Sequence, residues 1–309
     1  MVVVLHCHLP VEIWYRPDEM NNITILEPLR RLARLEDNIT FQEITDPRAK
    51  RFVAKIHAIY YSSFDRVLFL DSDNVPVRDS SFLFTSPEFV KSGAIFWPDF
   101  WHPDSTIFGL NENSLLWELM DMPFVDMFEQ ESGHFFSSLR LLWGDKDLFR
   151  LAWLKLEIPF TMIQTPPAMA GIIYGFLLRS DFCGLTMVQH DADGGILFMH
   201  RNQHKLTGKS TEKAVDTSRI EDDPEENYAD PAIWTHILRF RLEASRRNYA
   251  IQMLRLDLDF EANKKCFGRR DVYRSPNFYV QEITTFSFSG LETLLRRFAL
   301  ESTRFSSGI

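Results

Sequence analysis

Cysteine is scarce in this sequence, and its distribution excludes the two commonest cysteine-based architectures. Cys7, Cys183 and Cys266 are odd in number and lie far apart along a chain of 309 residues. This spacing fits neither a zinc-binding pattern nor a disulfide framework. One disulfide with one cysteine left over is compatible with the sequence, which does not choose the pair.

Long apolar runs are also missing. No stretch approaches the roughly 20 apolar residues that a membrane-spanning helix needs. Residues 1–5 are apolar, but His6 interrupts them at once, and the segment lacks the length and the basic start of a signal peptide. The sequence as given therefore predicts no membrane span, and taken literally it predicts a cytosolic protein.

Basic clusters are absent as well. The chain has 34 Lys plus Arg against 43 Asp plus Glu, a net charge of −9. Nucleic acid is therefore not an expected partner, because phosphate binding requires a basic surface. An anionic ligand bridged by a metal cation remains compatible with this charge.

What is present is typical of a globular protein. Hydrophobic residues make up 45% and charged residues 25% of the chain, which is ordinary for a folded domain. Its length allows one large domain, or one domain with an appendage.

Short apolar segments alternate with helical patterns, which predicts an α/β fold with a largely parallel sheet. Strands are predicted at residues 1–5, 67–70, 94–97, 186–189 and 196–199, the last two around a turn at 191–195. Helices are predicted at residues 23–35, 48–61, 145–157 and 232–254, with an acidic linker or surface loop over 209–231.

The strongest chemical motif follows the apolar residues 67–70. Asp71 and Asp73 come directly after them, and residues two apart on an extended chain point to the same side. Two carboxylates at the end of a buried strand suit Mg²⁺ or Mn²⁺. The structural alternative is a turn rich in Asp and Ser before Pro76.

Three other motifs carry weaker signals. His200 ends an apolar strand, where a neutral imidazole can complete a metal sphere. Asp147 belongs to the Gly-Asp-Lys-Asp start of a helix, where acids either cap the helix or bind a sugar hydroxyl. The aromatic segment at residues 96–101 suits stacking on a sugar or base, or simple core packing.

Taken in order, these segments resemble the fungal and oomycete α-mannosyltransferases that extend the outer chains of N-glycans. The resemblance covers roughly residues 9–205, about two-thirds of the chain. It is carried by Lys55-Ile56-His57-Ala58-Ile59 and by residues 67–78 (VLFLDSDNVPVR), 96–101, 131–133, 144–153, 188–191 and 198–202.

The resemblance implies a GT-A-like fold and a retaining transfer of mannose from GDP-mannose to a glycan acceptor, with Mn²⁺ or Mg²⁺. It implies the Golgi or secretory lumen, toward which the sequons at Asn22 and Asn38 also lean. Similar motifs occur in glycogenin-like transferases. The motifs therefore indicate the fold more specifically than they indicate the nucleotide of the donor.

The resemblance also implies roles for individual residues. Asp71, Asp73 and His200 correspond to metal ligands, and the two aspartates also to the diphosphate motif. Glu131 and Asp147 correspond to acidic positions on the sugar and acceptor side, with Glu131 as a stabiliser of the oxocarbenium-like state. The donor-binding positions implied are Lys55, Asp71, Asp73, Trp97, Asp99 and Lys205.

The sequence departs from the family pattern in two places. It starts at what corresponds to the second strand, and the stretch between His134 and Trp143 is short, so we expect a transferase domain truncated at its N-terminus and near residues 137–141. The expected organisation is this domain over 1–208, the linker over 209–231, and a helical C-terminal extension of unknown role over 232–309.

Two alternatives remain open at this stage. The departures are compatible with an inactive paralogue that at most binds a nucleotide-sugar. An apolar strand ending in Asp71-Ser72-Asp73 also resembles haloacid-dehalogenase phosphatases, where Asp71 would be the nucleophile and Asp73 the acid/base with Mg²⁺. The late acid pair of such enzymes would have to be Asp222-Asp223, which lies in the predicted linker.

Overall fold

Helices and strands are both well represented in the structure, a computed structural model. The residues that it describes are 5, 7–19, 26–35, 38–51, 53–98, 146–176, 179–208, 228–241, 252–255, 265–268 and 275–306. Their helices are α1 (Glu27–Leu35), α2 (Val53–Tyr61), α3 (Pro87–Ser92), α4 (Lys146–Lys155) and α5 (Leu291–Ser306). Their strands are β1 (Val11–Tyr15), β2 (Ile39–Glu43), β3 (Asn74–Pro76), β4 (Ile95–Phe96), β5 (Thr161–Met162), β6 (Ala168–Phe176), β7 (Arg179–His190), β8 (Ile196–His200), β9 (His236–Phe240), β10 (Gln252–Arg255), β11 (Lys265–Gly268) and β12 (Phe278–Glu282).

The main sheet has eight strands, and each of its described pairs is antiparallel. Six strands follow the order β10-β11-β7-β6-β9-β12, while β8 pairs with β7 and β3 pairs with β8. Parallel pairing occurs only in the two small sheets β1-β2 and β4-β5 among the described strands. The prediction of a fold with both helices and sheet is therefore confirmed. The predicted sheet was largely parallel, whereas the main sheet of the described strands is antiparallel.

The turn between β7 and β8 explains part of this difference. Strands joined by a short connection pair antiparallel, because a parallel neighbour requires a long crossover. Here Asp191 accepts a hydrogen bond from the backbone N–H of Gly195 at 2.8 Å, and Gly194 has a φ of 83° that suits glycine. The turn and the two strands predicted around it are confirmed, but the two strands pair antiparallel and not within the predicted parallel sheet.

The two faces of the main sheet bury separate apolar clusters. Val75, Val188 and Met199 lie on one face, and α5 covers it with Leu291 and Leu295. Met169, Met187 and Leu238 lie on the other face. The C-terminal part of the chain thus contributes strands β9 to β12 to the sheet, and its last described helix to the core.

The helices predicted in the first half are largely confirmed. The predictions at residues 23–35, 48–61 and 145–157 correspond to α1, α2 and α4, each of which is shorter than predicted. Helix α5 lies within the helical C-terminal extension predicted over 232–309, where no individual helix is predicted at these residues. Within the described residues, no helix is both long enough and apolar enough to cross a membrane.

Two predicted elements are wrong. Residues 67–70 form no strand: Leu68 and Leu70 pack beside Phe198, while Val67 and Phe69 are 36% and 37% exposed. The alternating burial of these four residues therefore reflects packing against Phe198 of β8 rather than pairing with a neighbouring strand. A helix over 232–254 is excluded by β9 and β10, since β9 pairs with both β6 and β12 and such pairing decides the conformation of a short segment.

Several predictions fall outside the described residues. These are residues 1–4 of the strand predicted at 1–5, most of the linker, namely 209–227, and the shortened stretch at 137–141. The proposed division at residues 208 and 232 stays a prediction.

Candidate metal and diphosphate site

Three predicted metal ligands come together in the structure. Asp71, Asp73 and His200 each offer one ligand atom, and these atoms lie within 4.8 Å of one another. Both aspartates lie in the turn before β3, which is closed by a hydrogen bond from the N–H of Asn74 to the carbonyl of Asp71 at 2.9 Å. The turn ends where β3 begins to pair with β8.

Strand pairing brings the distant histidine to this turn. Asn74 lies opposite His200 in the β3-β8 pair, and the N–H of Arg201 donates to the carbonyl of Asp73 at 2.9 Å. As a result, Nε2 of His200 lies 3.0 Å from Oδ1 of Asp73. An antiparallel ladder fixes this proximity, which no local sequence pattern contains.

Two lysines neutralise the aspartates. Nζ of Lys55, on α2, lies 2.7 Å from Oδ1 of Asp71. Nζ of Lys205, in the segment after β8, lies 2.8 Å from Oδ2 of Asp73. Burial raises the pKa of Asp73, but hydrogen bonds from His200 and Lys205, with their charges, outweigh it and hold that pKa well below its usual range.

The donor set fits a hard divalent cation. Two carboxylates and one imidazole are ligands that suit Mn²⁺ or Mg²⁺. Ligands on opposite sides of such an ion, with bonds of about 2.1 Å, are about 4.2 Å apart. The three ligand atoms are therefore near enough to one another to approach a single ion, and the two lysines add positive charge beside them.

Trp97 lies near this site, on the same face of the sheet. Its ring packs edge-on against Phe198 at 5.4 Å, and its indole N–H donates to the carbonyl of His190 at 2.8 Å. The N–H is thereby used within the protein, which leaves the partly buried ring as the surface for any ligand contact.

The other predicted site residues are not placed by the structure. Glu131 and Asp99 lie outside the described residues, and Asp147 belongs to α4 but its side chain is outside the description. The site that is described therefore consists of Lys55, Asp71, Asp73, His200 and Lys205, with Trp97 nearby.

A buried ion pair that sequence reasoning missed holds the segment carrying His200 and Lys205. Arg201 is 2% exposed; it donates to the carbonyls of His204 at 2.6 Å and Pro231 at 2.8 Å, and it pairs with Glu292 on α5. Glu292 also accepts from the N–H groups of Ile233 and Trp234, both at 2.8 Å. No local signal marked Glu292, because its partners lie far away in sequence.

A second anchor lies at the end of the same segment. Asp230 accepts hydrogen bonds from the N–H groups of Thr207 and Gly208, and Arg296 donates to its carbonyl at 2.8 Å. Gly208 has a φ of 63°, and a Cβ there would lie 2.0 Å from the carbonyl oxygen of Ala299. Lys205 is thus held between two contacts with the C-terminal part of the chain.

The structure also resolves the cysteine question that the sequence left open. Cys183 on β7 and Cys266 on β11 form a disulfide, and Cys7 is free. Both bonded residues are buried, at 1% exposure each.

Comparison with known proteins matches the part of the chain that carries the two aspartates. A family model described as "Mannosyltransferase putative" matches residues 3–109. This stretch includes Lys55, Asp71, Asp73 and Trp97 but ends before His200 and Lys205.

Curated relatives match over similarly short stretches. The chain is 35% identical over 65 residues to alpha-1,2-mannosyltransferase MNN5 of Saccharomyces cerevisiae, covering 21% of this chain and 11% of the relative. It is 33% identical over 108 residues to alpha-1,2-mannosyltransferase MNN21 of Candida albicans, covering 31% and 16%. It is 45% identical over 104 residues to MNN22 of the same organism, covering 31% and 18%. The matches thus span less than a fifth of each relative's length, and over residues 3–109 the chain is similar to this family of mannosyltransferases.

Proposed function

We propose that this chain is the catalytic part of a glycosyltransferase that moves mannose from GDP-mannose to a glycan acceptor with retention of configuration. The observation that carries the proposal is the convergence of Asp71, Asp73 and His200. Asp71 also contacts Lys55, and Asp73 contacts both His200 and Lys205. The family match over residues 3–109 supplies the reaction class.

Asp71, Asp73 and His200 would hold the divalent ion, Mn²⁺ or Mg²⁺. When bound, such an ion stabilises negative charge on the diphosphate as the sugar leaves. Lys55 and Lys205 contact the same carboxylates, so their charges are available to the phosphate oxygens. Preorganised positive charge of this kind lowers the barrier because it needs no rearrangement during the reaction.

The remaining steps fall to groups on the sugar and acceptor side. In the proposed mechanism an acceptor hydroxyl attacks the anomeric carbon from the face that the phosphate leaves, and the phosphate takes the proton. Glu131 and Asp147 are the proposed carboxylates on this side, with Glu131 stabilising the oxocarbenium-like state. Trp97 and Asp99 are proposed donor contacts. Full turnover in Glu131→Gln would contradict the role given to Glu131.

We further propose a GT-A-like fold and a secretory lumen, most simply the Golgi. The parallel pair β1-β2 and the helix α2 that brings Lys55 to Asp71 support the fold. The disulfide between Cys183 and Cys266 supports the compartment, because such bonds persist mainly in oxidising environments.

Nucleotide binding tests the proposal directly. Thermal unfolding of the purified chain is recorded with GDP, UDP or CDP, each with and without Mn²⁺. We expect stabilisation by GDP that requires Mn²⁺, about 2.7 kcal/mol at a hundredfold excess over Kd. The double variant Asp71→Asn/Asp73→Asn should lose it.

The other outcomes of this experiment separate the alternatives. A stronger response to UDP would keep the fold and reject GDP-mannose as donor. A cooperative melt without any nucleotide response would contradict the proposal. Hydrolysis of GDP-mannose in the absence of acceptor then separates an enzyme from a protein that only binds the donor, and hydrolysis of a generic phosphomonoester would favour a phosphatase that uses Asp71.

A further inference from the structure

Two carboxamide side chains lie on the sheet face that carries the metal ligand His200. Asn74 is directly opposite His200 in the β3-β8 pair. On the other side of β8, Met187 is opposite His200 and Gln189 is opposite Phe198. Directly opposed residues, and residues two apart, share one face of a sheet.

Cluster membership confirms this assignment of faces. Val75 and Val188, the sequence neighbours of the two carboxamides, lie in the cluster under α5 on the opposite face. Met187 lies in the other cluster. The side chains of Asn74 and Gln189 therefore flank the row formed by His200 and Phe198.

Each carboxamide has one buried polar atom whose hydrogen-bonding capacity is unused, although Asn74 as a whole is only half-buried. Gln189 is 4% exposed, and its Nε2 has no hydrogen-bond partner in the part of the chain described. Oδ1 of Asn74 is also buried and lacks a partner there. A buried polar atom without a hydrogen-bond partner costs free energy in a folded protein. A bound ligand that supplies the missing hydrogen bond would explain why such an atom is present.

The surroundings of Gln189 match those of a sugar site. The ring of Trp97 packs on Phe198, the residue opposite Gln189. Ligand pockets combine aromatic walls with a few polar groups that fix orientation. A carboxamide offers one acceptor and two donors, and a sugar hydroxyl both donates and accepts, so the two groups are chemically matched.

We propose that the carboxamides of Asn74 and Gln189 bind hydroxyl groups of the transferred sugar, and thereby select that sugar. This inference rests on the proposed function, in which Asp71, Asp73 and His200 hold the diphosphate end of the donor. The metal site then serves the nucleotide, whereas the carboxamides meet only the sugar.

This division of roles allows a test by binding. Affinities for GDP and for GDP-mannose are measured with Mn²⁺ by calorimetry for the full chain and for Gln189→Met, which keeps the side-chain volume but removes both polar groups. The affinity for GDP should stay unchanged. The affinity for GDP-mannose should fall about three- to tenfold, as expected when one or two hydrogen bonds are lost. Asn74→Ala should act in the same direction.

Gln281 offers a matched control on the same sheet. Its Oε1 is also buried without a partner in the described residues, but it lies on β12, at the far end of the strand order. Gln281→Met should leave the ratio of the two affinities at the wild-type value. Melting of the unliganded Gln189→Met protein should occur at or above the wild-type temperature, because a buried polar group without a partner is removed.

Each result decides the proposal. An unchanged ratio of affinities in Gln189→Met, with GDP still bound, would overturn the sugar contact and leave the proposed function intact. Failure of Gln189→Met to fold would also overturn it, since the carboxamide would then have a structural role. If the wild-type chain bound no GDP with Mn²⁺, the proposed function and this inference would fall together.

Discussion

At the scale of single residues, Asp73 is where most contacts of the candidate site converge. Its carboxylate meets His200 and Lys205, and its carbonyl accepts from the N–H of Arg201. The sequence predicted Asp73 and His200 as ligands of one ion, on residue type and position. The contact with Lys205 depends on the path of the chain after β8, which residue type does not reveal.

His190 is a second residue whose environment has a measurable consequence. It is buried at 2% exposure. Burial, with the charge of Arg239, lowers its pKa from 6.5 to about 4. Between these values the unfolded chain binds a proton that the folded chain does not, so the free energy of unfolding falls as pH decreases through this range.

We therefore expect His190 to lower the free energy of unfolding by about 3 kcal/mol between pH 7 and pH 4. In His190→Leu this contribution should disappear, which urea unfolding at several pH values will measure. His8→Gln, at an exposed position, is the control and should keep the wild-type pH dependence. An equal acid sensitivity in wild type and His190→Leu would show that another group is responsible.

At the scale of elements, α5 supports the site through the segment at residues 201–208. Glu292 pairs with Arg201, directly after His200, and Arg296 contacts Asp230, which binds the backbone of Gly208. A helix at the end of the chain thus holds residues that the candidate site requires. No motif in the sequence marks this region, because the helix acts through partners that are distant in sequence, such as Arg201 and Asp230.

Removing the charge of Glu292 should be strongly destabilising. Glu292→Gln leaves Arg201 buried without its anion, and breaking a buried pair costs about 3–5 kcal/mol. We expect this loss in urea unfolding, together with weaker Mn²⁺-dependent GDP binding in the fraction that remains folded.

The exposed pair Arg297–Glu301 on the same helix is the control. Glu301→Gln should change the free energy of unfolding by at most about 1 kcal/mol. If Glu292→Gln were no more harmful than Glu301→Gln, the buried pair would not be what holds the segment.

At the scale of the whole molecule, the two halves of the chain share one sheet. Strands β9 and β12 extend it beyond β6, and β10 and β11 extend it beyond β7. The disulfide between Cys183 and Cys266 joins β7 to β11 across a sequence separation of 83. Residues 232–309 therefore include structural elements of the sheet that carries His200.

Loss of this disulfide should weaken the whole sheet. A bond that closes a loop of this length typically contributes about 2–5 kcal/mol. Cys266→Ala should lower the free energy of unfolding by this amount, and dithiothreitol should lower that of the wild type similarly. Cys7→Ala should have no such effect, since Cys7 is outside the bond. Insensitivity of the wild type to reductant would contradict the expected contribution.

The sequence alone determined the local features of this protein. Residue order placed two aspartates after an apolar run, a histidine at the end of a strand, and the family motifs over the first two-thirds of the chain. Periodicity located α1, α2 and α4, and residue type located the turn at 191–195, because these features depend on neighbours a few residues apart.

Only the tertiary structure decided which distant residues meet. Pairing of β3 with β8 brought His200 to Asp73, and the fold of the C-terminal part brought Glu292 to Arg201 and Cys266 to Cys183. Pairing with β6 and β12 made a strand of residues 236–240, where periodicity predicts a helix. Backbone hydrogen bonds between distant strands leave no local periodicity of their own, so this part of the site could not be predicted from the residues alone.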